Sequence, residues 1–245
     1  MSSPFVVPAE DMTQLTTWSY SRLADFEQCP LRAKLKYIDK IPEPVRPLPP
    51  GKSEHANDRG TRVHTAAELF VQKPIELAPE LNSFREEMLR LRELYKKGKV
   101  SLEGEWGMDR DWMPTSYSGP KTWLRLKLDA FVQLTPKVGV VIDYKTGRKF
   151  GNEIKHSEQG QLYQLAAFLR YPKLEEITIE FWYTDQDDMT QVKYTRRNGM
   201  RFLPGFDRRG NAVTDATEFP AKPNLFNCKW CPFGPTGTKH CTVGV

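Results

Sequence analysis

The chain has 245 residues, 39% hydrophobic and 27% charged, with 36 Lys and Arg against 31 Asp and Glu, a net charge of +5 and a pI near 8.9. These totals exclude a disordered chain, and no apolar stretch approaches the ~20 residues of a membrane span. The cationic excess is compatible with a polyanionic partner without demanding one. A chain this long buries a core without disulfides. The N-terminus lacks a basic segment followed by an apolar core, so the expectation is a soluble, cytoplasmic protein in a reducing compartment. Four cysteines there suit a metal better than disulfides.

Residues 1–16 read as a loose, proline-containing leader. Ser19 is placed to cap a helix that carries Leu23, Phe26, Leu31, Leu35 and Ile38 at near-helical spacing, with a break expected at Cys29-Pro30. The proline-dense stretch from Ile41 to Gly51 predicts a stiff surface connection reaching to about Asn57. Asp58 is the expected cap of a helix with Val63, Ala66, Ala67 and Phe70 on its apolar side. Pro79 opens another, through Phe84, Met88, Leu91 and Leu94 to a stop at Lys96-Lys97-Gly98. Residues 100–112 alternate roughly as a first strand, and 114–120 form a loop.

Two strands then follow around Thr135-Pro136-Lys137. Residues 124–129 alternate apolar and polar, whereas 138–143 form a β-branched run suited to burial on both faces. With Pro136 at the centre of an antiparallel hairpin, Asp129 and Asp143 fall opposite each other, with Cβ atoms about 4.5–5.5 Å apart. Two carboxylates at that range repel unless a cation lies between them, and a hard divalent ion bound by oxygens is the usual solution. Alternation puts Lys145 on the same side as Asp143. Two acids and an ammonium converging on one spot outline a metal-assisted hydrolysis site. Further on, 156–171 reads as a helix with Leu162, Leu165, Ala166 and Leu169 inward, and 176–183 and 189–195 as a strand pair; 196–223 gives no clear signal. Strands between helical segments make the class α/β.

Asp129 followed by Asp143-Tyr144-Lys145-Thr146-Gly147 resembles the core of the PD-(D/E)XK nucleases, and within them the RecB-type branch. The resemblance implies a restriction-endonuclease-like core, a mixed central sheet flanked by helices. Other segments are similar to that branch in the same order along the chain. Ser19-x-Ser21-x-Leu23-x-x-Phe26-x-x-Cys29-Pro30 is how its iron–sulfur members begin. Gly60-Thr61-x-x-His64-x-x-x-Glu68 resembles its first motif, which implies a metal-contacting role for His64 and leaves Glu68 open. A neutral imidazole among carboxylates favours Mn²⁺ over strict Mg²⁺ chemistry. Gln159 and Tyr163, at i and i+4 on one helix face, resemble its Gln-x-x-x-Tyr motif; Gln164 and Phe168 offer a second register. Glu103 and Glu105 lie upstream, where the family often has an acid, but no spacing argument selects either.

Cys228-x-x-Cys231, Cys241 and the distant Cys29 make a set of four thiols suited to a [4Fe–4S] cluster or a tetrahedral zinc. One cysteine near the start and three near the end resemble the iron staple of AddB-type and CRISPR-associated nucleases. The resemblance implies iron–sulfur, with Zn²⁺ held by the four cysteines, or by three and His240, as the alternative. The gap from Cys231 to Cys241 is longer than the family's usual spacing. The expected organisation is a single nuclease domain over 1–245, in which 17–40 and 224–245 bind the cluster.

The function expected from these residues is a metal-dependent DNA exonuclease. Asp129, Asp143 and Lys145 are its catalytic residues. His64, Asp129, Asp143 and the Tyr144 carbonyl hold Mg²⁺ or Mn²⁺, and Gln159 and Tyr163 support the lysine or the DNA. By resemblance the substrate is DNA, single-stranded or with free ends. The alternatives are a non-catalytic nucleic-acid-binding module and a subunit active only with a helicase or recombination partner.

Overall fold

A computed structural model describes residues 13–244, so residues 1–12 of the expected leader lie outside the described residues. Two compact units make up the chain, one within Met1–Arg46 and Asp207–Val245, the other Pro47–Phe206.

The larger unit is built on a six-stranded sheet in the order β2-β1-β3-β4-β5-β6, with β1 Val100–Met108, β2 Pro114–Thr115, β3 Leu124–Thr135, β4 Val138–Lys145, β5 Glu176–Tyr183 and β6 Asp188–Thr195. Every neighbouring pair is antiparallel except β4 and β5, which are parallel and joined by the crossover helix α5 Glu153–Arg170. The sheet is therefore mixed and flanked by helices, as the α/β expectation required. Side chains alternate faces along a strand. Ala130, Val132, Ile142, Tyr144 and Trp182 consequently pack in one core with α3 Ala56–Gln72 and α4 Arg85–Lys96, through Val63, Ala67, Phe70, Met88 and Leu91. Asp143 and Lys145 point the other way, towards α5. Gly160 permits the close approach of α5 to the sheet: a Cβ there would meet Ile179 and Phe181 at 3.0 Å.

Several boundaries differ from the sequence expectation. The cap position of α3 is His55, with Asp58 inside the first turn. Pro79–Phe84 is a 3₁₀ helix leading into α4, the tight turn opened by the proline widening into α-helix at Arg85. β1 stops at Met108: the Asp109 carboxylate accepts from the backbone of Asp111 and Met113, closing a tight loop, and Trp112 takes a left-handed φ of 59°. The expected loop after it contains the short β2. α5 starts at Glu153 rather than at residue 156. The segment without a sequence signal forms α6 Arg196–Gly199, a 3₁₀ turn Met200–Phe202 and α7 Leu203–Thr214; the glycines at 199, 205 and 210 hide these helices from a propensity reading.

The smaller unit has little regular structure. α1 Tyr20–Gln28 is capped by the Ser19 side chain, which accepts from the Arg22 N–H. The expected break is present: Cys29 is extended, with φ −163°, and α2 Pro30–Ala33 restarts at the proline before a π turn, Lys34–Ile38. α8 Leu225–Cys228 is a single turn, whose Asn227 side chain donates to the Gln28 carbonyl at 2.9 Å. Arg209 clamps Glu27 through two hydrogen bonds of 2.6 and 2.7 Å. No helix of the described residues is long and apolar enough to cross a membrane.

Candidate active site

The β3–β4 hairpin has the register that carries the chemistry. Ala130 pairs with Ile142, Phe131 with Val141 and Val132 with Val140, so Asp129 and Asp143 stand at the next rung. A register shift between Gln133 and Thr135 absorbs an extra residue near the turn and leaves the Asp129–Asp143 end in step. Both aspartates are buried.

Each has a different environment. Asp129 Oδ1 lies 3.0 Å from His64 Nδ1 of α3, and its Oδ2 accepts the Tyr144 N–H at 2.7 Å. Burial pushes the Asp129 carboxyl above the usual carboxylate range and the neighbouring Asp143 charge adds to this, while the His64 bond opposes it. For His64, burial favours the neutral ring, but the bond to Asp129 and the charges of Asp143 and Glu103 outweigh it and hold the imidazole above its ordinary value. Asp143 Oδ2 lies 2.6 Å from the Lys145 ammonium in an ion pair that lacks hydrogen-bond alignment, and among the described residues this buried oxygen has no hydrogen-bond partner.

Lys145 is held by a relay of side chains from α5. Its ammonium donates to Gln159 Oε1 at 2.7 Å; the Gln159 amide donates to the Tyr163 hydroxyl at 2.7 Å; that hydroxyl donates to the Lys127 carbonyl at 3.0 Å. The chain of donors leaves one orientation for the Gln159 amide. The second register, Gln164 and Phe168, is fully buried, and Gln164 spends its amide on the carbonyls of Gln161 and Gly199.

The sequence did not choose between Glu103 and Glu105; the sheet places them differently. Leu102 pairs with Ala130 and Gly104 with Leu128, so Glu103 stands across from Asp129, whereas Glu105 pairs with Lys127. Among the described residues, one group of three possible metal ligands has donor atoms all within 4.8 Å of one another: His64, Glu103 and Asp129. Glu103 takes a left-handed φ of 45°, a conformation that is costly for a non-glycine residue and concentrates at functional sites. Its carboxylate is paired with Lys127 at 2.7 Å. Only the cross-strand register identifies it, and the strand's irregular alternation hid that register. Glu68 instead accepts from Gln72 at 2.8 Å, one turn along α3.

This donor set fits a divalent cation. One imidazole and several carboxylates supply the hard and borderline ligands that Mg²⁺ or Mn²⁺ takes, and among the described residues the buried Asp143 Oδ2 has the Lys145 ion pair but no aligned hydrogen bond. Tyr144 meets the site through its backbone N–H on Asp129 and through its ring, which lies edge-on to His64 with centroids 5.7 Å apart.

The four cysteines come together in the smaller unit. Cys29, Cys228, Cys231 and Cys241 line one cavity with Leu31, Leu35 and Phe233. The Lys222 N–H donates to Cys29 Sγ at 3.4 Å, and the Cys231 and Gly234 N–H groups close the knuckle onto the carbonyls of Cys228 and Cys231. The four thiols share one cavity, but their sulfurs do not form a group with donor atoms all within 4.8 Å of one another. His240 is exposed, with Nδ1 2.8 Å from the Thr238 hydroxyl.

A family model described as the PD-(D/E)XK nuclease superfamily matches residues 17–236. Comparison with curated proteins yields no match. Among solved structures the chain is similar to a protein designated SSO0001, at 14% identity and a TM-score of 0.42, with 95% of this chain and 88% of that one covered. It is also similar to an alkaline exonuclease from Laribacter hongkongensis, at 11% identity and a TM-score of 0.31, with 83% and 88% covered. Neither likeness is strong enough to carry an assignment; the family match is.

Proposed function

Because the chain belongs to the PD-(D/E)XK nuclease superfamily, we propose that it is a divalent-metal-dependent deoxyribonuclease of the RecB-type branch, cutting single strands or free ends as an exonuclease. The observation that carries the reading is the group of His64, Glu103 and Asp129, with Asp143 on the rung opposite Asp129 and Lys145 paired to it. The RecB-type assignment and the attack from ends rest on the Asp143-to-Gly147 motif and on the motifs in order around it.

In this reading Asp129, Asp143, His64 and Glu103 hold one or two Mg²⁺ or Mn²⁺ ions, with the Tyr144 carbonyl completing the set. When bound, such an ion polarises the phosphodiester and acidifies the attacking water. Lys145 orients that water or, in its neutral form, helps deprotonate it, and as an ammonium it stabilises the charge that develops on the phosphate. Gln159 and Tyr163 are positioning residues: they aim the ammonium through the relay to the Lys127 carbonyl. In the smaller unit the four cysteines hold a [4Fe–4S] cluster, which cross-links Cys29 to the C-terminal trio across most of the chain. A cross-link closing so long a loop constrains the unfolded state strongly. A brown protein with broad absorption near ~400 nm after anaerobic purification separates iron–sulfur from zinc.

The direct test is cleavage of end-labelled single- and double-stranded DNA by the purified protein with Mg²⁺ or Mn²⁺. The parent degrades it; Asp129→Ala and Lys145→Ala do not. Parent-like degradation by either variant overturns the assignment.

A further inference from the structure

The smaller unit has a surface that the catalytic reading does not use. Leu225, Phe226 and Trp230 are 73%, 92% and 69% exposed. The turn of α8 that carries the first two is held from its other side, where Asn227 bonds to the Gln28 carbonyl and Cys228 lines the cysteine cavity, so the apolar pair is presented outward. Trp230 follows two residues later. Its carbonyl accepts from Arg46 at 2.9 Å, and the Lys229 ammonium lies 5.2 Å from its ring centroid. Large apolar groups left in water at neighbouring positions mark an interaction site.

Charge selects the partner. Over 219–245 there is no acidic residue, while Lys222, Lys229 and Lys239 are spread through the segment, and Arg46 joins them at Trp230. A surface built for an average protein partner carries both signs. Exposed rings in a segment without acids, with Lys229 and Arg46 at Trp230, match a phosphate backbone whose bases offer flat faces. We infer that the 225–230 segment is a docking platform for single-stranded nucleic acid, on which bases stack against Phe226 and Trp230 while Lys229 and Arg46 meet the phosphates. The platform belongs to the smaller unit alone, so it stands whether or not the acids of the larger unit hydrolyse a strand.

Trp230 supplies the probe. The five other tryptophans, Trp18, Trp106, Trp112, Trp123 and Trp182, are at most 5% exposed, so quenching of the solvent-exposed emission reads Trp230. The titrant is a phosphorothioate-linked oligothymidylate in Ca²⁺ buffer, which limits its consumption, and affinity is followed in parallel by anisotropy of a labelled oligomer. The parent is expected to show saturable quenching. Trp230→Phe, which keeps a ring, binds like the parent without the quench. The double variant Phe226→Ala with Trp230→Ala binds on the order of tenfold more weakly, or worse. Phe226→Ala alone, at a side chain almost wholly in water, weakens binding several-fold and gives a reading that does not depend on the double variant folding.

The inference is overturned if the parent binds no oligomer, or binds it without quenching. Parent-like affinity in the alanine variants overturns it too. So does a parent that self-associates through this patch, with the alanine variants becoming monomeric in sedimentation at unchanged oligomer affinity. None of these readings requires cleavage, so failure here leaves the nuclease assignment untouched, and failure of cleavage leaves the platform untouched.

Discussion

The two units place their functional side chains by opposite means. In the larger unit each acid and the lysine are held by the protein's own polar groups: His64 and the Tyr144 N–H on Asp129, the Gln159–Tyr163 relay behind Lys145, and the sheet register setting their spacing. In the smaller unit Cys29, Cys231 and Cys241 sit outside helices and Cys228 ends the single turn of α8; its described regular structure is α1, α2 with the π turn after it, the part of α7 from Asp207 and α8. The first arrangement is organised before any ion arrives. The second leaves much of its organisation to whatever the thiols bind. On the proposed reading, a site that releases product and starts again benefits from the first kind, because little reorganisation is needed per cycle; the proposed metal staple would not need it.

That contrast can be broken at several points. The largest effect is expected at Lys145→Met, where cleavage falls about 10²- to 10⁴-fold in a single-turnover assay. Removing the ammonium also leaves the Asp143 carboxylate buried without its ion partner. The metal-free variant should therefore be less stable by up to about 3 kcal/mol, and Mn²⁺ should restore part of that loss in thermal unfolding. Equal loss with and without Mn²⁺ would mean that the lysine is not balancing a cation site.

Next in size is Cys231→Ser, or removal of the metal proposed for the thiols. Hydrogen exchange should open through 13–46 and 207–244, by about 2–5 kcal/mol as for loss of a native cross-link, while the amides of β3 and β4 stay protected. Matching loss in the hairpin would mean that the two units unfold as one body and that the contrast is false. Tyr163→Phe is milder. It removes the hydroxyl that donates to the Lys127 carbonyl and receives the Gln159 amide, at about 1 kcal/mol of stability. As a positioning change it should lower kcat several-fold with KM little altered, and Gln159→Glu should not mimic it.

The smallest effect concerns pH. Burial, with the nearby Lys145 charge, pushes the His156 imidazole down to about 4, and its Nδ1 lies 3.0 Å from the Tyr183 hydroxyl. The folded protein keeps His156 neutral while the unfolded chain protonates it below about 6.5, so its contribution is intact above that pH and is lost as pH falls towards 4. His156→Gln should flatten the fall of Tm between pH 6.5 and 4; an unchanged slope would place the acid sensitivity elsewhere.

Much of the site was legible because strand chemistry is local. Asp129, Asp143 and Lys145 follow from one turn and a two-residue period, and the Gln159–Tyr163 pair from one helical turn. Glu103 was not legible, because its place depends on which residue of β3 faces it. That pairing spans a long connection, and β1 carries a left-handed residue that spoils its alternation. The helices after β6 were hidden for a different reason. Their glycines depress local propensity, and packing overrides it: Gly199 abuts the Gln164 side chain, where a Cβ would come within 2.0 Å. The gathering of Cys29 with the C-terminal trio came from family resemblance, since nothing local links residues so far apart.

The most direct measurement is Mn²⁺ binding, by calorimetry or electron paramagnetic resonance, on the parent and on Asp129→Asn and Asp143→Asn. The account predicts saturable Mn²⁺ binding to the parent, its loss in both variants while the fold persists, and no cutting of an end-labelled oligonucleotide once the ion is chelated. Undiminished Mn²⁺ binding by either variant, or strand cleavage that continues in chelator, would contradict it.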